Sequence, residues 1–306
     1  MKQLLVLVSI LFMLSCDKKK DKKEEAVVLE DNIEEKTQNT PKNFENEIRD
    51  EDILNGIYVG AFKAEVYDSK KKPSYSNRIN ITIDSIVENT IYGHSVVAGN
   101  SRPFLGELVN DGNNYRATLK EPGDNKYDGK FELEFVPDYG RIKGFWIANN
   151  PNLAVSRRSY DLKKTSFNYN PDQYIIDPND VEEAEGYADV FAELYSSDYD
   201  EEEGPESEYA TIDAVNINAS NTELKKEDVE NLYKGDLEII RNTIYARHGY
   251  SFKNRKMRYF FDQHVGWYIP MYTDVRDNLT ILELKNIELI KRYEEHADKY
   301  YDYFGR

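Results

Sequence analysis

The stretch Tyr245-Ala246-Arg247-His248-Gly249 gathers the side chains of this chain best suited to chemistry. His248 offers a general base, Arg247 a fork for an anion, and Tyr245 or nearby Ser251 a hydroxyl able to carry a proton. One reading is therefore hydrolysis of a cell-envelope polymer, with His248 assisted by carboxylates from the acidic segment upstream. No activated nucleophile accompanies the set, because the single cysteine, Cys16, stands near the other end of the chain. A metal needs at least three converging ligands. His264 is 16 residues further on and His94 lies in a different part of the sequence, so neither a metal nor a cofactor is expected. The same five residues also serve folding alone. Tyr245 packs, Ala246 lets a helix come close, Arg247 pairs with a carboxylate, His248 bonds a carbonyl, and Gly249 turns the chain. If the module binds a ligand, Arg247 and His248 with the aromatic pair Trp267 and Tyr268 are its candidates.

These residues need a helix that stops hard. Leu237, Ile240, Ile244 and His248 recur at three- and four-residue spacing, which puts them on one face. Gly249 stands where a left-handed C-terminal cap is wanted, and His248 falls in the last turn, where the helix dipole favours a cation. A short helix over 226–232 precedes it. A third over 255–263 turns Met257, Phe260 and Phe261 inward, and a last one over about 280–301 carries Leu282, Ile287, Ile290 and Tyr293 at helical spacing. Four helices over 221–306 make a small all-α module whose aromatics supply much of the core.

Residues 51–165 read differently. Ile57 to Phe62, Arg78 to Ile83, Thr90 to Val97, Phe104 to Leu108, Tyr115 to Leu119, Phe131 to Phe135, Arg141 to Ala148 and Tyr160 to Lys163 alternate with period two, as half-buried strands do. Eight short antiparallel strands predict a meander curled into a barrel or sandwich, with Gly60, Gly93, Gly106 and Gly144 at the bends. An eight-stranded interior is just wide enough for side chains to fill. The alternative is a cavity for a small apolar ligand, lined by Gly144-Phe145-Trp146. Segments 95–105 and 121–131 are richer in Gly, Pro, Asn and Arg than strand pairing requires, so any binding by this part is expected there. The fold class is thus α+β, a β-barrel or sandwich followed by a helical module.

Between them, residues 166–220 look like an acidic linker. The window 165–224 holds 17 acids and no Lys or Arg; the whole chain has 57 acids and 40 bases, so its net charge of −17 is carried by that window. Asp180 could cap a short helix with Val181, Ala184, Ala188, Phe191 and Leu194 on one face, and residues 198–208 read as solvated chain. The acids lack the turn residues at fixed spacing that a calcium loop needs. Lys253, Arg255, Lys256 and Arg258, near Arg241 and Arg247, form a basic cluster, read as a solvated helix face or a meeting place for an anionic glycan or the acidic segment.

At the start, Leu4 to Leu14 is an apolar run too short to span a bilayer and suited to a signal peptide over residues 1–15. It ends in Met13-Leu14-Ser15-Cys16, which resembles a bacterial lipobox. That resemblance implies cleavage before Cys16, diacylation of its sulfur and a lipid contact with the membrane. Residues 16–50, rich in Lys, Asp, Glu and Asn, read as a flexible tether. With one cysteine the chain has no disulfides. A sequence pI near 4.8 and export both exclude nucleic acid as a partner.

A family resemblance rests on Arg241 to Phe252, on Tyr259-Phe260-Phe261, on Gly266-Trp267-Tyr268 and on Glu283 to Ile290 in that order. Together they resemble the YARHG domain, over about residues 221–296. The resemblance implies an exported bacterial protein without established catalysis, here a non-enzymatic lipoprotein of the cell envelope, at the outer membrane. Its expected partner is an envelope or extracellular component, either peptidoglycan, another glycan or an envelope protein.

Overall fold

The computed structural model describes residues 53–110, 112, 114–136, 140–176, 186, 187, 189–191, 193 and 210–300. The signal peptide, Cys16 and the tether lie outside the described residues, as do Asp180, Val181, Ala184, Ala188, Leu194 and the run 198–208.

Eight strands follow in order: β1 (Gly56–Tyr67), β2 (Ser76–Val87), β3 (Thr90–Val97), β4 (Asn100–Asn110), β5 (Tyr115–Lys120), β6 (Gly129–Val136), β7 (Arg141–Ala148) and β8 (Val155–Thr165). Each pairs antiparallel with the next, and β1 pairs with β8 from Ile57↔Thr165 to Tyr67↔Val155, so the sheet is a closed barrel rather than a sandwich. Closure leaves no open edge. The strands are longer than the alternating cores suggested, because their outward residues are polar and dilute the pattern. Neighbouring strands approach closely at Gly106 and Gly144, where any Cβ would run into the carbonyl oxygens of Thr118 and Glu132.

Inward residues fill the closed end of the barrel: Ile83, Ile91, Phe135, Ile142 and Leu162 are buried there. Leu54 lies beneath them, its carbonyl accepting from Tyr58 Oη at 2.7 Å. Trp146 faces inward as expected, but Phe145 points out, 36 % exposed, with the Arg157 guanidinium 4.0 Å from its ring centroid. Adjacent residues on a strand take opposite faces, so the two could not line one cavity.

The helical part contains α1 (Asp213–Asn216), α2 (Lys226–Val229), α3 (Lys234–Arg247), α4 (Arg255–His264) and α5 (Ile281–Tyr300). Helix α3 lies between two cores. Leu237, Ile240 and Ile244 meet Ile287 and Ile290 of α5, while Ile239 and Ala246 join an aromatic cluster with Phe252, Phe260, Phe261 and Tyr268. The acidic segment supplies part of that second core: Ile175, Ile176, Tyr187, Phe191 and Ala210 are all buried in it. Charge on the neighbours of these residues gave them the look of a linker. No helix among the described residues is long and apolar enough to cross a membrane.

The helical part rests on the outer face of β2. Arg78 Nη1 donates to the carbonyls of Val265 and Tyr268, each at 2.7 Å, and the Arg78 N–H donates to Asp262 Oδ2 at 2.9 Å. Asn80 is fully buried there, its amide nitrogen 3.1 Å from Met271 Sδ.

Candidate functional site

Helix α3 ends as its glycine requires. Gly249 has φ +76°, its N–H donates to Ala246 O at 2.9 Å, and the Tyr250 N–H reaches back to Tyr245 O at 3.0 Å. These bonds satisfy carbonyls that the helix leaves open and swing the chain toward the aromatic core. The Gly249 carbonyl then accepts from the N–H groups of Met271 and Tyr272.

The turn drives His248 inward, where it is 5 % exposed. Its Nε2 lies 2.8 Å from Glu283 Oε2, and the Tyr169 ring stacks on the imidazole at a centroid separation of 4.2 Å and 16°. Tyr169 Oη donates to Glu283 Oε1 at 3.0 Å. Glu283 is itself a helix cap: its Oε2 accepts from Thr280 N–H at 2.9 Å, and its own N–H donates to Thr280 Oγ1 at 3.2 Å. This reciprocal pair is the capping box of α5. Burial alone would raise the Glu283 carboxyl, but the bonds from His248, the Thr280 N–H and Ser220 outweigh it and hold the group below its ordinary value.

Arg247 reaches Ser220 as well, without bonding the carboxylate itself. Its Nε donates to Gln173 O at 2.7 Å and its Nη1 to Ser220 Oγ at 3.1 Å. Burial lowers it to about 10, against the attraction of Glu283. The partners expected from sequence are therefore exchanged: the arginine takes a carbonyl and a hydroxyl, and the histidine takes the carboxylate. Ser251 is not near this pair, since its Oγ accepts from the Gly99 N–H of the barrel at 2.9 Å. Tyr245 is half-buried between the two cores, and Ala246 is buried in the aromatic one.

The candidate ligand-binding residues divide as well. Tyr268 is 1 % exposed and donates its hydroxyl to Tyr250 O at 2.7 Å, so it belongs to the core with His248. Arg247 and Trp267 instead line a cleft of about 260 Å³ with Phe167, Asn168, Asn170 and Gln173. Trp267 Nε1 donates to Tyr174 O at 2.7 Å, which fixes the indole in the wall. No group of three or more His, Cys, Asp or Glu side chains is placed to hold a metal among the described residues.

The basic cluster has no common face. Arg255 donates to the carbonyls of Lys72 and Pro73 on the barrel, Arg258 lines the barrel mouth, and Lys256 lies within 4.0 Å of Glu238. Arg241 forms a separate pair with Glu294, both bonds at 3.0 Å.

Sequence reasoning passed over Glu283, Tyr169 and Ser220. Thr280-x-x-Glu283 before an apolar-periodic run is a capping-box pattern, a signal that was there to be read. Tyr169 and Ser220 carry no comparable local mark.

A helical module whose signature closes one helix onto the cap of another is defined by its folding geometry. Residues 212–295 match the model of the YARHG domain, so the C-terminal third of the chain carries that domain. The match starts at 212, before the boundary expected at 221, in keeping with Ala214 and Val215 of α1 being buried in the aromatic core. No curated protein matches the chain.

Proposed function

We propose that this is an exported lipoprotein, anchored through Cys16 to the bacterial outer membrane, whose helical module binds an envelope glycan such as peptidoglycan without turning it over. The observation that carries the reading is the cleft beside α3. It is lined by Trp267 and Phe167 together with Asn168, Asn170, Gln173 and the buried Arg247. Aromatic side chains for sugar C–H groups, with amide side chains at the same cleft for hydroxyls, suit a saccharide. Export and anchoring are supported by the apolar run Leu4–Leu14 and the Ser15-Cys16 junction, and by the occurrence of YARHG domains on extracellular and envelope proteins. The non-enzymatic reading is supported by the state of His248, which is buried, stacked under Tyr169 and held by a helix-capping carboxylate.

Sedimentation of the mature protein with purified sacculi, together with a glycan array, tests the proposal. Binding is expected, and Trp267→Ala should weaken it about tenfold or more while the helical circular dichroism is kept. Blank results for the mature protein on both assays overturn it. Hydrolysis through His248 makes the opposite forecast for His248→Ala, a folded protein that has lost turnover. Here that variant should melt early instead, by roughly 1–3 kcal/mol, because it removes one bond to the buried Glu283 carboxylate and the ring stacked under Tyr169.

A further inference from the structure

The two ends of the barrel differ in chemistry. Opposite the apolar closed end, the β1–β2, β3–β4, β5–β6 and β7–β8 connections surround a cavity of about 470 Å³. This falls within the range of about 300–1,000 Å³ usual for small-ligand sites. Segments 95–105 and 121–131, singled out by their composition, meet at this mouth. Phe62, Phe131 and Trp146 form an aromatic lining, and Arg102, Arg158 and Arg258 bring positive charge to it.

Arg158 is 8 % exposed, with its guanidinium 5.1 Å from the Phe62 ring centroid. It donates Nη1 to Phe62 O at 3.0 Å and Nη2 to Ser74 O at 2.9 Å. Arg258 reaches the mouth from α4, donates Nη1 to Lys253 O, and keeps a buried Nε with no hydrogen-bond partner. The two cations repel: burial first, and Arg258 second, bring Arg158 down to about 10. Three acids lie nearby. Asp262, which attracts Arg258, accepts from the Arg78 N–H. Asp128 Oδ2 takes the N–H groups of Gly123 and Asn125, while its buried Oδ1 has no hydrogen-bond partner and lies 3.5 Å from Arg102 Nε, so it offsets the charge of Arg102. Glu121 accepts from Gly129 N–H at 2.6 Å and Trp146 Nε1 at 3.1 Å, which turns its Oε2 toward the barrel wall. A buried Arg158 guanidinium and a half-buried Arg258 side chain bring positive charge to an aromatic-lined space, and a guanidinium fork matches a carboxylate.

We propose that the open mouth of the barrel binds a small amphipathic carboxylate, its carboxylate between Arg158 and Arg258 and its apolar body against Phe62, Phe131 and Trp146. Barrel and helical module build this site together, since Arg258 comes from α4. It is separate from the cleft at Trp267, and neither site depends on the other.

Calorimetric titration of the full-length protein with octanoate, 1-octanol and inorganic phosphate tests this, with Trp146 emission as a second readout of occupancy. Octanoate should bind saturably, the uncharged alcohol about tenfold more weakly or worse, and phosphate without saturation. Arg258→Gln should weaken octanoate about tenfold and lower stability by no more than about 1–2 kcal/mol, since the side chain makes one bond to the Lys253 carbonyl and its attraction to Asp262 is offset by repulsion from Arg158. Arg158→Gln should weaken it further, although that side chain also ties Phe62 to Ser74. Wild-type affinity for octanoate in Arg258→Gln overturns the proposal. So do equal affinities for octanoate and octanol, phosphate binding as tight as octanoate, and no saturable octanoate binding at millimolar concentration.

Discussion

Glu283 uses two oxygens to hold three elements, taking the Thr280 N–H of its own helix start, the His248 ring at the end of α3 and the Tyr169 hydroxyl from the acidic segment. Its carboxyl is held below the ordinary 4.5, and the pH dependence follows from that direction. Above the unfolded value both states are ionised and the stabilisation is complete. As pH falls below about 4.5 the unfolded chain takes the proton first, and the contribution is lost through the lower folded value. Glu283→Gln should lower stability by roughly 1–3 kcal/mol at neutral pH, and the gap to the wild type should close progressively as the pH drops below about 4.5. Urea melts at several pH values measure this. A gap that stays constant across that range would mean that the charge of Glu283 does not matter.

At the scale of the element, the end of α3 was the most legible part of the chain. Leu237, Ile240 and Ile244 are buried at the spacing that announced them, and Gly249 takes the left-handed φ of +76°. A side chain at that φ costs about 1–2 kcal/mol, and a Cβ at 249 would stand 3.0 Å from both Met271 and Phe167. Gly249→Ala should therefore lower the unfolding free energy by at least that much, read in equilibrium urea denaturation as a lower midpoint with an unchanged slope. Helices α4 and α5 and the eight strands were also readable, since period alone separates a 3.6-residue face from an alternating one. Strand lengths were less so. β4 starts at Asn100, where Asn100, Ser101 and Pro103 give no alternation, because strand pairing needs backbone partners more than apolar side chains.

Over the whole molecule, Arg78 joins the two modules. Its guanidinium bridges the Val265 and Tyr268 carbonyls while its N–H holds Asp262. Arg78→Ala would leave both carbonyls without their donor in a buried interface, at a cost of roughly 2–3 kcal/mol. Scanning calorimetry should show one endotherm for the wild type and an earlier, broader one for the variant. An unchanged endotherm would mean that the modules fold without regard to each other.

The sequence by itself determined the kinds of element, their order and the YARHG signature, because periodicity, turn residues and caps are local physics. Only the tertiary structure decided the partners. Local pattern says that a side chain is buried or charged, not which group meets it from 35 or 74 residues away, and so His248 and Arg247 exchange their expected partners for Glu283 and Gln173. Phe191 and Ile175 enter a core from a stretch whose charge hid them. Arg258, read as part of a solvated face, completes the mouth of the barrel. Each outcome depends on long-range packing, where burial of a few apolar side chains outweighs the charge of the residues around them.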